Sequence, residues 1–142
     1  MRITPSTHID SSRQLRGLEE GYAHFLRTQL AEEDMAIFVA ERAGAIVGYV
    51  YAAVEPRSWK ELRDIAGFIH DVVVDPGARR SGVGRRLIET AAAWLVTRGV
   101  PRVILWTAEQ NQEAQRLFEH LGFRRTTIEM TRERPIDPET RG

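Results

Sequence analysis

The chain has 142 residues and no cysteine, which excludes a disulfide framework, a thiolate-bound metal and a thiol nucleophile together. An excess of charge of either sign is also missing. Twenty Lys and Arg balance twenty Asp and Glu, so net charge argues for neither nucleic acid nor an anionic membrane as the main partner. No window reaches the apolar length of a membrane span, and residues 1–10 lack the hydrophobic run of a secretory leader. Repeats and low-complexity tracts are absent too. With these classes removed, the expectation is a single cytoplasmic domain over residues 1–142, without a metal site. Residues 133–142, with Pro135, Pro138 and several charges, are expected to form a C-terminal tail.

The most informative stretch is residues 72–87. It passes from the β-branched run Val72, Val73, Val74 through a Pro76-Gly77 turn into Arg79, Arg80, Ser81, Gly82, Val83 and Gly84, which open an amphipathic helix. A helix start presents unpaired N–H groups and the positive end of the macrodipole, and side-chain-free glycines let a phosphate approach the main chain. Arg79, Arg80, Arg85 and Arg86 add positive charge around it. The order of parts implies a pyrophosphate site. It is not a P-loop, because Val83 and Gly84 stand where Lys and Ser/Thr are required after Gly77 and Gly82. It is not a dinucleotide fingerprint either, because Leu87 occupies the place of the third small residue.

The pattern Arg79-x-x-Gly82-x-Gly84 directly after a valine strand resembles the coenzyme A pyrophosphate loop of the GNAT N-acetyltransferase superfamily. Asn111, Ala114, Leu117-Phe118 and Gly122-Phe123 resemble the same superfamily's later motif of Asn, Ala, Leu-Tyr and Gly-Phe, and the resemblance covers residues 36–132. It implies an α/β GNAT fold, a mixed central sheet of about six or seven strands with splayed fourth and fifth strands, flanked by helices. It also implies acetyl-CoA as co-substrate, and relatives of this size are often homodimers. By the same resemblance Val72, Val73 and Val74 meet the pantetheine arm through their main chain. Arg79, Arg80, Ser81, Gly82, Val83 and Gly84 meet the pyrophosphate, and Asn111 and Phe118 complete the coenzyme site.

Hydrophobic patterning predicts the elements that carry these motifs. Residues 2–4 read as a short strand ended by Pro5, and residues 36–41 and 46–54 as a hairpin turning at 42–45. A helix capped by Ser11 or Ser12 carries Leu15, Leu18, Tyr22, Phe25 and Leu26. Residues 55–66 read as a loop and 67–74 as a strand. Residues 81–98 form a helix with an apolar stripe of Leu87, Ile88, Ala91, Ala92 and Leu95, closed by Gly99. A buried strand over 103–106, a helix over 112–121 and a last strand over 124–132 complete the reading.

Acyl transfer to an amine needs a base for the amine proton and often an acid for the departing thiolate. In many GNAT relatives the motif Tyr is that acid, yet Phe118 has no proton to give. N-terminal acetyltransferases of the ribosomal-protein type carry Glu where this chain has Trp106, which disfavours a protein N-terminus as acceptor. His70, where similar strands in amine acetyltransferases carry Glu or His, is the candidate base. Strict alternation puts His70 on one strand face with Val72 and Val74, and the second catalytic candidate, Asp71, on the other. His24 and His120 are read as helix residues facing solvent or packing, and His8 as part of a mobile N-terminal stretch. Glu55, Glu61 and Asp64 suit a cationic amine; Tyr22, Phe25, Tyr49, Tyr51 and Trp59 either line an acceptor pocket or form core. The expected activity is acetyl-CoA-dependent N-acetylation of a small-molecule amine. The alternatives are a protein or peptide N-acetyltransferase and a non-catalytic acetyl-CoA-binding module.

Overall fold

Strand alternation and one tight turn set up the sheet. In the computed structural model, which describes residues 1–6 and 34–135, β2 (Met35–Arg42) and β3 (Ala45–Glu55) form the expected hairpin. Its two turn residues, Ala43 and Gly44, both have positive φ (52° and 79°), the twist that suits a two-residue connection. β1 (Arg2–Ser6) adds to the outer side of β2, running on through Pro5 where a stop was expected. A proline is tolerated there because β1 is an edge strand. β4 (Ala66–Val74) pairs antiparallel with β3, and β5 (Val103–Leu105) pairs parallel with β4. The sheet order is β1-β2-β3-β4-β5.

A parallel neighbour requires a crossover, supplied by helix α1 (Val83–Thr97). Its stripe packs on β2, β3 and β4, burying Val83, Leu87, Ile88, Ala91 and Leu95. Each large side chain so buried contributes about 2 kcal/mol. Opposite it, Phe38, Val50, Ala52 and Ile69 complete this cluster, while Ile37, Val39, Tyr49, Tyr51 and Ala53 form a second on the other sheet face. Tyr49 and Tyr51 are therefore core. Gly48 lets β3 and β4 approach: a Cβ there would lie 2.7 Å from the Val73 carbonyl oxygen. Helix α2 (Gln112–His120) follows β5.

The mixed sheet with flanking helices is the expected architecture, with five strands among the described residues. Besides β1, two elements differ. The buried strand over 103–106 is the three-residue, half-buried β5, because it lies at the sheet edge and leaves Trp106 76% exposed. Residues 124–132 form no strand, and Ile128 and Met130 are exposed. That reading rested on β propensity, which forms a strand only with a pairing edge to supply its hydrogen bonds. The helix expected after Ser11 or Ser12, with Tyr22, Phe25 and His24, lies outside the described residues, as does His8.

Candidate functional site

The site begins where β4 leaves its regular ladder. Tyr51 pairs with Asp71 but Ala52 pairs with Ile69, so His70 is the extra residue of a β-bulge. His70 and Asp71 both oppose Tyr51, and their side chains share its face. The His70 ring stacks on Phe68 (5.3 Å between centroids, 13° between planes) and meets Tyr51 edge-on at 5.3 Å. Asp71 Oδ2 accepts from the Tyr49 hydroxyl at 3.2 Å. This corrects the strict alternation: the inserted residue breaks the two-residue period, so Asp71 joins the face of His70 while Val72 and Val74 pack with the α1 cluster.

The bulge also re-aims the main chain. Gly67 N–H donates to the Arg102 carbonyl on the β5 side at 2.9 Å, whereas Asp75 N–H donates to Val47 on the β3 side at 2.8 Å. Residues 67 and 75 differ by an even number, so only a one-residue insertion between them reconciles the two. By alternation from Asp75, Val73 turns its peptide groups to β3, and Val72 and Val74 turn theirs to the opposite edge. There β5 has already ended, since the β4–β5 ladder stops at Ile69 and Leu105. A cavity of about 280 Å³ occupies the gap, lined by residues 69–72, Ile88, residues 105–108, Asn111, Ala114 and Phe118. The strands splay, as the fold expectation held.

At the end of β4 a 3-10 turn (Pro76–Ala78) leads through residues 79–82 into α1. Gly82 is the N-cap, with φ 86°, and no side chain caps the helix. Ser81, a residue type suited to capping, does not cap the helix. Its hydroxyl donates to the Ala78 carbonyl and accepts from Arg42 Nη2 at 3.2 Å, so it fastens the loop to itself and to the β2–β3 turn. First-turn N–H groups of α1 thus have no side-chain acceptor in front of them. Arg80 has φ 65°, a left-handed conformation costing a non-glycine residue about 1 kcal/mol or more. With Gly82 also left-handed, the loop turns its main chain into a concavity of the kind that takes an anion. A Cβ on Gly82 would meet no atom within 4 Å, and one on Gly84 would meet Val74 Cγ2 at 3.6 Å and Leu117 Cδ2 at 3.9 Å, both ordinary contacts. That open space over bare amides fits a diphosphate. Arg79 is exposed, Arg80 lies 3.6 Å from Glu113 of α2, and Arg85 pairs along α1 with Glu89. Val83 is buried, so its contribution to the loop is its main chain.

A second cavity of about 190 Å³ lies beside the first, lined by Glu55, Glu61, Arg63, Phe68, Ile69, His70 and Trp106. Ile69, His70 and Trp106 line both. Arg63 lies 4.8 Å over the Phe68 ring and donates to Glu61 and to the carbonyls of Pro56 and Asp64. Asp64 pairs with Arg57 outside the cavity, and the Ile65 N–H, then Arg57, hold its carboxyl below the ordinary value. Of the three acids suited to a cationic amine, Glu61 already has an arginine and Asp64 faces elsewhere. Glu55 Oε1 stands 2.7 Å from His70 Nε2.

Asn111 caps α2, its side chain accepting from Ala114 N–H at 3.1 Å, and it also borders the larger cavity. Phe118 reaches the same cavity from α2, and His120 is exposed. The structure thus brings His70, Asp71, Val72, Asn111 and Phe118 around one gap, with the loop of residues 79–84 at the end of β4. Sequence reasoning missed the Glu55–His70 contact, the Arg42–Ser81 contact, and Thr107 and Ala108 in the cavity wall. No local pattern signals these, because each depends on strand register or on chain ends meeting in space. Among the described residues no cluster of ligating side chains is placed to hold a metal, and no helix is long and apolar enough to cross a membrane.

A family model described as "Acetyltransferase (GNAT) family" matches residues 6–123. Among curated relatives, the mycothiol acetyltransferase of Thermomonospora curvata is 35% identical over 113 residues, covering 78% of this chain and 36% of that protein. That of Thermobispora bispora is 40% identical over 93 residues, covering 66% and 31%. The chain therefore spans about a third of the length of these curated relatives. Among solved structures, an aminoglycoside N-acetyltransferase AAC(6')-Iy in complex with CoA superposes with a TM-score of 0.78, covering 95% of each chain at 22% identity. Identity that low speaks for a shared fold.

Proposed function

The chain belongs to the GNAT acetyltransferase family, and from that premise we propose that it transfers an acetyl group from acetyl-CoA to a primary amine of a small molecule. The observation that carries this reading is the gap between β4 and β5, with the peptide groups of Val72 and Val74 fronting it and an uncapped helix start at the end of the same strand. An amide-bearing arm can pair with that free edge as an added strand does. The diphosphate would rest on the α1 amides near Gly82 and Gly84, with Arg79 and Arg80 beside it and Ser81 holding the loop. Asn111 and Phe118 would close the arm's other side.

Bound acetyl-CoA supplies a thioester open to direct attack, so no covalent enzyme intermediate is needed. Val72 N–H faces the gap and would donate to the thioester carbonyl oxygen as charge develops there. His70, on the wall shared by the two cavities, would take the amine proton directly or through water. Asp71, held by the Tyr49 hydroxyl, would place negative charge near the incoming ammonium group. Phe118 gives no proton, so the thiolate would take one from solvent. Holding the two reactants together would supply much of the acceleration.

The small cavity between Glu55 and Trp106 supports a small acceptor over a polypeptide, and the relatives named above carry small molecules, mycothiol and aminoglycosides, in their names. A cytoplasmic location and a homodimer belong to the same proposal, the latter checked by light scattering. The deciding experiment is coenzyme release over a panel of amines, polyamines and basic peptides. Turnover on small amines supports the reading, and turnover on peptides alone replaces the acceptor class. Tight acetyl-CoA binding without turnover on any acceptor makes the protein a binding module.

A further inference from the structure

We propose that Glu55 is a positioning residue for His70, fixing the imidazole with its proton on Nε2 and its lone pair on Nδ1. This rests on the reading of His70 as the proton acceptor. An ionised carboxylate only accepts hydrogen bonds, so at 2.7 Å from Glu55 Oε1 the Nε2 atom must carry the hydrogen. In a neutral ring the lone pair then sits on Nδ1, the one ring nitrogen left to receive a proton. Three contacts hold the ring. Phe68 sets its plane, Tyr51 bounds its edge, and Glu55 fixes its rotation in that plane.

The bulge gives this clamp its purpose. An inserted residue lacks a ladder partner of its own, so its side chain is aimed less firmly by the backbone than its neighbours' are. Glu55 comes from the regular end of β3, opposite Ala66 and on the face of Tyr51 and Ala53, so strand register sets its place. The other carboxylates nearby are engaged elsewhere: Glu61 accepts from Arg63 Nε at 3.0 Å, and Asp71 from the Tyr49 hydroxyl. Removing the orienting carboxylate of such a pair leaves the base present but in mixed tautomers and orientations.

The test uses Glu55→Ala, Glu55→Gln, His70→Ala and the Glu55→Ala/His70→Ala double variant in the full chain. The expected result is a kcat loss of about tenfold or more for Glu55→Ala with the amine KM little changed. Glu55→Gln, whose amide oxygen still accepts from Nε2–H, should recover part of it. The double variant should lose no more than His70→Ala, as two residues acting through one ring are not additive. A double variant that loses the product of both single effects overturns the proposal. So does Glu55→Ala raising the amine KM at unchanged kcat, which would make Glu55 an ammonium anchor. A second readout needs no turnover: nitrogen-15 NMR of ring-labelled histidine, with His70 assigned from its absence in His70→Ala. Wild type should show protonated Nε2 at high pH and Glu55→Ala a tautomer mixture; identical spectra also overturn the proposal. If no acceptor is turned over, the acetyltransferase reading fails while the spectra still decide the role of Glu55.

Discussion

From residue 67 to 69, β4 is hydrogen-bonded to β3 on one side and β5 on the other, and all three residues are buried; from 71 to 74 it keeps β3, loses β5, and none is buried. His70 stands between. The first half is supported on two edges and anchors the sheet. The second offers an unpaired edge to a gap, at the cost of unsatisfied peptide groups that a ligand can satisfy. A one-residue bulge therefore separates scaffold from site and sends the imidazole to the scaffold side, over Phe68 and Tyr51.

If the two halves act separately, His70→Ala should lower kcat by about a hundredfold or more while leaving acetyl-CoA affinity nearly unchanged. Calorimetry beside steady-state kinetics checks this, and a parallel loss of affinity would mean that the bulge residue also supports the gap. Gly48→Ala strikes the one ladder left to the second half. Its Cβ would press on the Val73 carbonyl at 2.7 Å, backbone that cannot retreat without opening the sheet. A stability loss of about 1–3 kcal/mol is expected from urea unfolding.

Gly84→Ala sharpens the contrast from the ligand's side. The protein itself has room for that methyl, 3.6 Å from Val74, so stability should hold while the acetyl-CoA Kd rises about tenfold, or about 1.4 kcal/mol. An unchanged Kd would move the coenzyme away from the α1 start. The smallest effect concerns the loop before β4. Asp64 has a folded-state pKa below its ordinary 3.8, held down first by Ile65 N–H and then by Arg57. A depressed carboxyl contributes stability above the ordinary value and loses it as pH falls through the folded one. Asp64→Asn should thus lower the urea midpoint slightly at pH 7 and not at all in strong acid, the effect staying small because the pair is exposed.

The loop of residues 79–84 was legible in the chain because its parts are local: valine run, turn, basic pair, two glycines and helix stripe follow one another and need no distant partner. The same holds for the β2–β3 hairpin. The bulge was not legible, since no Gly or Pro marks it and an apolar run such as 72–74 reads alike in either register. Ser81 fits a cap by type, yet its hydroxyl turned to Ala78 and Arg42 instead.

The order of residues determined the chain's family, the β2–β3 hairpin, the stripe of α1 and the glycine-punctuated loop before it, because periodicity and turn chemistry act over a few residues. The facing of His70, its contact with a carboxylate fifteen positions earlier, and the edge left open beyond Ile69 were decided by tertiary structure. They depend on which strands pair, in what register and where pairing stops, and those follow from packing the whole sheet against α1.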